Sequence, residues 1–534
     1  MAQVNNTKPS MNADMEEISM NTTVLVIGGG WNGIKVASEL VHAGSPVILV
    51  DSEQDMVRQV FAEHLMAASE KELADLLETV KKNEEIEVLT SSEILSLGGA
   101  PGDFHVRLEQ DGNVLERNVG AVVVALEAQK ISMTHEYGLD DYDKVLSQSD
   151  IELVLASDEK KHHLLGDGSK DVLFLVGLKQ EGNPVVMERA IQSAIDIQNS
   201  GEAQATMVVG NVKLAHNGLE ALYKQSREKG VLYFKLRKPP QIKLNGSSFS
   251  LTFHDSVLYD NVELRPDVVV VEEAISPHRQ TSHLAQMLRV ETDTEGFFQS
   301  DNVHFFPIRS NREGIYVIGS ARQSTNLRQG WADAQNAVLE ISQLLEDGKK
   351  LVPVEKAKIH RGKCTICLTC YRVCPHGAIS WDNRAVISSV ACQGCGICAS
   401  ECPMDAIQLI DYQDAQIKHE ILATQETGAT VPQIIAFCCR NSAYEAGEMA
   451  RIFGNVLPEG LQMIKVPCAG KVDVDYILTA FQAGADGVLV FACHKDNCKS
   501  QWGNTFAEWR VEDAVRMLEE IGLERERLQF ATIA

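Results

Sequence analysis

No cysteine occurs in this 534-residue chain before Cys364, and all 13 lie between Cys364 and Cys498, in two groups with short internal spacings. A disulfide framework would be spread through a small secreted domain, so this distribution excludes one and points to metal ligation. Long apolar runs are missing too. The longest, such as DVVVVEEA, stop far short of the ~20 residues of a membrane helix, which excludes a bilayer span. Residues 1–20 have neither a basic start nor an apolar block of signal-peptide length; they read as a disordered leader, and the chain as cytoplasmic. Basic charge is scarce: 49 Lys and Arg against 74 Asp and Glu leave a net charge of −25, which repels phosphate backbones and argues against nucleic acid as a partner.

What is there begins with NTTVLVIGGGWNGIKVASELVHAGSPVILVDSEQD. An apolar run ends in glycines, an amphipathic segment follows, and a second apolar run ends at Asp51, the layout of a strand–turn–helix–strand unit. Gly28, Gly30 and Gly33 satisfy GxGxxG: a tight turn, a close approach of a pyrophosphate to the backbone, and close packing of helix on strand. Asp51 is placed to accept a ribose hydroxyl. The fingerprint predicts dinucleotide binding without separating FAD from NAD. Residues 203–236 repeat the strand–helix–strand layout, but only Gly210 remains where VVGNVKLAHNG would need three glycines, so this second unit reads as a structural remnant unable to admit a nicotinamide cofactor. Further on, REGIYVIGSARQSTNLRQGWADAQ gives a strand ending at Gly319 and Ser320 and then a helix, the form in which flavoproteins of the thioredoxin-reductase type close around the flavin.

The charged stretch over 346–362, with Pro353, reads as a linker. Beyond it CTICLTCYRVCP and CQGCGICASECP form an internal repeat. Each matches the bacterial ferredoxin run, in which three cysteines hold one cubane and the fourth crosses to the other. That rule assigns Cys364, Cys367, Cys370 and Cys402 to one 4Fe–4S cluster, and Cys392, Cys395, Cys398 and Cys374 to its partner. Zinc also takes four thiolates but does not explain paired Cys-Pro runs. His376, close by, reads as a surface or hydrogen-bonding residue.

From residue 431 three apolar runs, QIIAFCC, MIKVPC and GVLVFAC, end in cysteine and are separated by helical stretches. Strands joined by helices run parallel, so their C-terminal ends share one sheet edge. Cys438 or Cys439, Cys468 and Cys493 are expected to converge there, joined by Cys498.

These motifs carry a resemblance. Residues 22–412 resemble the A-type flavin subunit of heterodisulfide reductases, a thioredoxin-reductase-like FAD domain followed by a two-cluster ferredoxin module. Residues 431–534 resemble the small delta subunit of F420-non-reducing hydrogenases. The fusion is similar to the B-type subunits of quinone-interacting membrane-bound oxidoreductases. The resemblance implies an α/β chain with a FAD-binding domain in two parts (21–150 and 261–350) around a degenerate second nucleotide-binding-like domain (151–260). A ferredoxin module (356–412) and a parallel α/β domain with a 2Fe–2S cluster (431–534) follow. It also implies redox subunits of a larger complex as partners, reaching a membrane, if at all, through one of them. Family position favours Cys439 over Cys438 as a ligand beside Cys468, Cys493 and Cys498, and strand side chains that alternate in direction keep both from reaching one cluster.

Three departures stand out. The cysteine-rich cluster early in the methanogen flavin subunit has no counterpart here, the Ala-Thr-Gly turns near the flavin are replaced by VVVALEAQ and VVVVEEAI, and Ser442 stands where the delta family has a second cysteine. The leading function is an electron relay through FAD, two 4Fe–4S clusters and one 2Fe–2S cluster between partner subunits. The alternatives are electron bifurcation at the chain's own FAD, and an NAD(P)H oxidoreductase, which the worn second site contradicts. No catalytic residue can be named.

Overall fold

The computed structural model describes residues 15–57, 68–140, 142, 144–165, 170–201, 203–245, 248–255, 257, 259–298, 306–353, 356–423, 431–495 and 497–533. Strand β1 (Met15–Ser19) precedes the first nucleotide unit, which starts with β2 (Val24–Ile27), α1 (Trp31–His42), β3 (Val47–Val50), β4 (Ile86–Leu89) and β5 (Ala121–Val124). The chain then leaves for a second unit: β6 (Val145–Ser147), β7 (Lys170–Val176), α2 (Pro184–Ser200), β8 (Ala203–Val209), α3 (Leu219–Glu228), β9 (Leu232–Lys235) and β10 (Val268–Val271). It returns through β11 (Ile315–Val317), α4 (Leu327–Leu345) and β12 (Lys349–Pro353).

The first sheet has the order β11-β5-β2-β3-β4 and is parallel throughout. Strands buried on both faces must be apolar at every position, which VLVI, VILV and AVVV are. Val24 and Val26 pack with Ile34 and Leu40 of α1 and Ala337 and Ile341 of α4; Leu25 and Ile27 face the opposite layer with Phe104 and Leu288. Helix α1 and the Gly319 turn thereby meet at the C-terminal edge of the sheet, where ligand sites form.

The second sheet, β6-β10-β7-β8-β9, is also parallel and corrects two expectations. Its leading strand–helix pair is β7–α2, not 203–236, which supplies the next strands. The turn after β7, GLKQEGNP, separates Gly177 from Gly182 by four residues and so escapes the GxGxxG pattern. The unit also extends beyond 151–260, because β6 and β10 pair inside its sheet; VVVV of 268–271 is therefore a central strand here.

Residues 15–19 are not disordered, nor is 349–353 a free linker: β1 and β12 pair antiparallel, Met15 opposite Pro353 through Ser19 opposite Lys349. Charged edge strands of this kind draw their order from backbone hydrogen bonds, which composition does not reveal. Residues 1–14 lie outside the described residues.

The cysteine-rich module contains β13 (Ala357–Ile359), α5 (Thr369–Val373), α6 (Ile397–Ser400) and β14 (Ile407–Leu409), with β13 and β14 antiparallel. The last domain holds β15 (Ile434–Cys439), β16 (Leu461–Val466), α7 (Val474–Gln482), β17 (Gly487–Ala492), α8 (Gly503–Glu520) and β18 (Leu528–Thr532), a parallel sheet of order β16-β15-β17-β18. Among the described residues no helix is long and apolar enough to cross a membrane.

Candidate cofactor sites

At the edge of the first sheet, Gly28 turns at φ +111°, and a side chain there would meet the Ala125 carbonyl at 2.7 Å. A Cβ on Gly33 would lie 1.8 Å from the Gly28 oxygen, so helix and turn touch only because residue 33 is glycine. Asp51 closes the groove: its Oδ2 accepts from Gly29 N at 2.5 Å and its Oδ1 from Glu53 N at 2.7 Å. The groove has a volume of about 320 Å³ and runs from Gly28 and Gly30 past Asp51 and Ser92 to Leu126, Glu127 and His278. Burial holds His278 below its usual range. Gly319 (φ +58°) donates to Asp333 Oδ2, and the Ser320 hydroxyl bonds Leu126 O and Ala128 N, tying the last strand's turn to the segment after β5. Asn32 Oδ1 and Thr325 Oγ1 are buried there without hydrogen-bond partners among the described residues, as polar atoms awaiting a ligand would be. These residues fit the adenosine half of a FAD at the turn and its sugar chain toward Gly319.

One residue near the turn carries no motif of its own. Glu127, in VVVALEAQ, accepts a hydrogen bond from Trp31 N at 2.9 Å with its Oε1, at the first turn of α1. The missing Ala-Thr-Gly turn is the signal in the sequence that could have found it.

In the ferredoxin module, one cavity is lined by Cys364, Cys367, Cys370 and Cys402, and a second by Cys374, Cys392, Cys395 and Cys398. The fourth cysteine of each run has crossed to the other run's cavity. The two halves also match in detail: Cys374 Sγ accepts from Ala378 N at 3.4 Å, and Cys402 Sγ from Ala406 N at 3.3 Å. Gly394 and Gly396 take positive φ in the second run; Ile366 and Leu368 take the same conformation in the first, at φ 57° and 59°. A β-branched residue held there is strained by about 1–3 kcal/mol, and such strain persists where surrounding structure over-determines the loop. Burial pushes the Cys395 thiol up to about 12, while the Thr369 hydroxyl lowers the exposed Cys367. Four thiols around each cavity form a donor set suited to a cubane.

In the last domain Cys439 ends β15, Cys468 and Cys493 follow β16 and β17, and Cys498 lies in the loop before α8. Cys439 and Cys493 sulfurs are 3.7 Å apart. Hydrogen bonds with Cys468 and Cys493 hold both the Cys439 and the Cys498 thiols well below the usual range, and these contacts join the four sulfurs in a closed ring. Cys438 points to the other face, against Ala436 and Ala443, with its thiol raised to about 12 by burial. The buried Ser442 hydroxyl lies beside the ring, where it favours the thiolate forms of Cys439 and Cys493.

Contacts across the unit boundaries join these sites, none of them visible in the sequence. Asn311 Nδ2, from the flavin unit, donates to Pro375 O at 3.0 Å, next to Cys374. Ile397, between Cys395 and Cys398, meets Gly503: its Cδ1 lies 3.6 Å from where a Gly503 Cβ would stand, and that Cβ would be 2.3 Å from Cys468 Sγ and 3.5 Å from Cys498 Sγ. Arg510 fastens the junction by binding Glu401 and the carbonyls of Gly470 and Val472. Of the two readings of His376, surface or hydrogen-bonding, the structure shows the second: it is 5% exposed under the flavin unit, its Nδ1 3.2 Å from Asn311 O.

Residues 22–340 match the family model of the pyridine nucleotide-disulphide oxidoreductases, 363–406 that of the 4Fe-4S dicluster domain, and 434–534 that of the methyl-viologen-reducing hydrogenase delta subunit. The chain is 24% identical to the A-type subunit of the ferredoxin:CoB-CoM heterodisulfide reductase of Methanosarcina mazei, over 96% of this chain and 77% of that one. Over 18% of this chain it is 40% identical to the vhu iron-sulfur subunit of the F420-non-reducing hydrogenase of Methanocaldococcus jannaschii, covering 74% of that protein. The crossed cysteine cavities lie between a FAD-type unit and a hydrogenase-delta-type domain, and the chain belongs to the pyridine nucleotide-disulphide oxidoreductase family as a flavin and iron–sulfur electron-transfer subunit of the heterodisulfide reductase A type, fused to a delta-subunit domain.

Proposed function

We propose that the chain holds one FAD, two 4Fe–4S clusters and one 2Fe–2S cluster, and passes electrons between partner subunits of a heterodisulfide-reductase-like complex. Gly28, Gly30, Gly33, Asp51, Gly319 and Ser320 hold the flavin, and the three sets of four cysteines hold the clusters. When bound, FAD supplies the exchange between two-electron and one-electron carriers. The observation that carries this reading is the contact of Ile397 with Gly503, which backs the cysteine ring directly onto the second ferredoxin cavity. The order of transfer is then flavin, the centre at Cys374, Cys392, Cys395 and Cys398, and the binuclear centre. The centre at Cys364, Cys367, Cys370 and Cys402 is a branch toward solvent, since Cys367 is exposed and Ile366 and Met404 beside it are 46% and 44% exposed. Partners are redox subunits of the hydrogenase or quinone-linked type, and the chain is cytoplasmic, reaching a membrane only through such a partner.

The test is rapid-freeze EPR after photoreduction of the bound flavin. In the native chain the binuclear signal grows after a cubane signal. In Cys374→Ser, which empties the intervening site, the binuclear centre loses fast reduction. Unchanged binuclear kinetics in that variant would rule out this order.

A further inference from the structure

Each nucleotide unit carries a glutamate just after the strand that flanks its dinucleotide turn, and each carboxylate has reached over to that turn. In the first unit α1 begins at Gly30, which offers no side-chain cap; the carboxylate of Glu127 takes the position instead, its Oε1 2.9 Å from Trp31 N. It rests where Gly30 opens the backbone to close approach, 2.4 Å from the point a Gly30 Cβ would occupy. A helix N-terminus with free N–H groups attracts an anion, and in this fold that anion is a dinucleotide pyrophosphate. In the second unit Glu272 accepts from Gly177 N at 2.8 Å, Gln180 Nε2 at 2.9 Å and Tyr137 OH at 2.8 Å.

The two differ in what holds them. Glu127 is exposed and lines the groove, so it can swing into solvent and regain hydration there. Glu272 is 2% exposed, and its removal would strand the turn's N–H, a glutamine amide and a tyrosine hydroxyl together. We propose that Glu127 is a displaceable internal occupant of the pyrophosphate seat on α1, while Glu272 permanently seals the second seat, so that the chain takes a single dinucleotide and takes it by exchanging a carboxylate for a pyrophosphate.

This inference rests on the FAD reading, and equilibrium binding separates the two. Flavin-free full-length chain is titrated with FAD, ADP and riboflavin, following flavin fluorescence or heat. Removing a carboxylate that competes for a helix N-terminus through a charge-assisted hydrogen bond should tighten FAD and ADP by about tenfold in Glu127→Gln and in Glu127→Ala. Riboflavin, without a pyrophosphate, should be unmoved, and FAD should saturate at one per chain with no NADH bound beside it. Unchanged or weaker FAD binding in both variants overturns the inference and leaves the FAD reading standing. Absence of FAD binding from native and variant chains alike overturns both. NADH bound stoichiometrically by the native, FAD-loaded chain overturns the sealed second seat.

Discussion

Gly503 stands against Cys468 so closely that a methyl group on it would lie 2.3 Å from the sulfur. The residue opens α8, and its bareness lets that helix, the cysteine ring and Ile397 of the ferredoxin module share one point. Gly503→Ala should therefore push the ring apart. Iron analysis should show a loss of about two irons per chain, those of one binuclear centre, with the cubane EPR signals kept. Full iron content with an unaltered binuclear spectrum would show that the ring does not hold the metal.

Cys438 and Cys439 are neighbours with opposite surroundings. Cys439→Ser should abolish the binuclear EPR signal, because it breaks the ring. Cys438→Ser should keep the signal and cost only stability, about 1–3 kcal/mol for burying a hydroxyl among apolar atoms, read from thermal unfolding. The reverse pattern would place the ligand one residue earlier.

The crossed cavities predict that the two ferredoxin halves fail in a crossed manner. Cys402→Ser should disturb the exposed cluster held by Cys364, Cys367 and Cys370, although Cys402 belongs to the other run. Cys374→Ser should disturb the buried one. EPR redox titration of each variant distinguishes them, since the remaining cluster in Cys402→Ser is the one shielded from added oxidant. A cluster lost from its own run's cavity in either variant contradicts the crossing.

Arg189 is wholly buried in the second nucleotide unit, with Nε 2.8 Å from Glu152 Oε1 and Nη1 2.7 Å from Glu273 Oε2. Arg189→Leu leaves two carboxylates uncompensated and should destabilise that unit by about 3–5 kcal/mol. Denaturant unfolding followed by protease sensitivity of this unit measures it. Iron content should stay at the native level, because the cysteine sites draw nothing from this unit.

Local rules go far where the chemistry itself is local. GxGxxG at Gly28, Gly30 and Gly33 follows from turn, approach and packing within six residues, and the paired Cys-Pro runs encode a crossing that the two cavities display. The second nucleotide unit is less legible. Its turn after β7 carries Gly177 and Gly182 at an unfamiliar spacing, which leaves Gly210 as the more conspicuous glycine, and β6 and β10 join its sheet from outside the expected limits. In β1, MEEIS has the composition of a tail; only pairing with residues more than three hundred positions away orders it.

Residue type and short spacing marked out a dinucleotide-binding turn and a paired-cluster ferredoxin module, since turn geometry and thiol ligation act over a few bonds. Tertiary structure alone decided how the sites meet and what stands in them. The alternation of β15 says that Cys438 and Cys439 face apart, but only the packing of α7 and α8 tells which face holds the ring. Glu127 reaches Trp31 across 96 positions, and Ile397 reaches Gly503 across more than a hundred. Such contacts arise from the close packing of whole elements, in which every residue of the chain constrains the fit and no local pattern records the outcome.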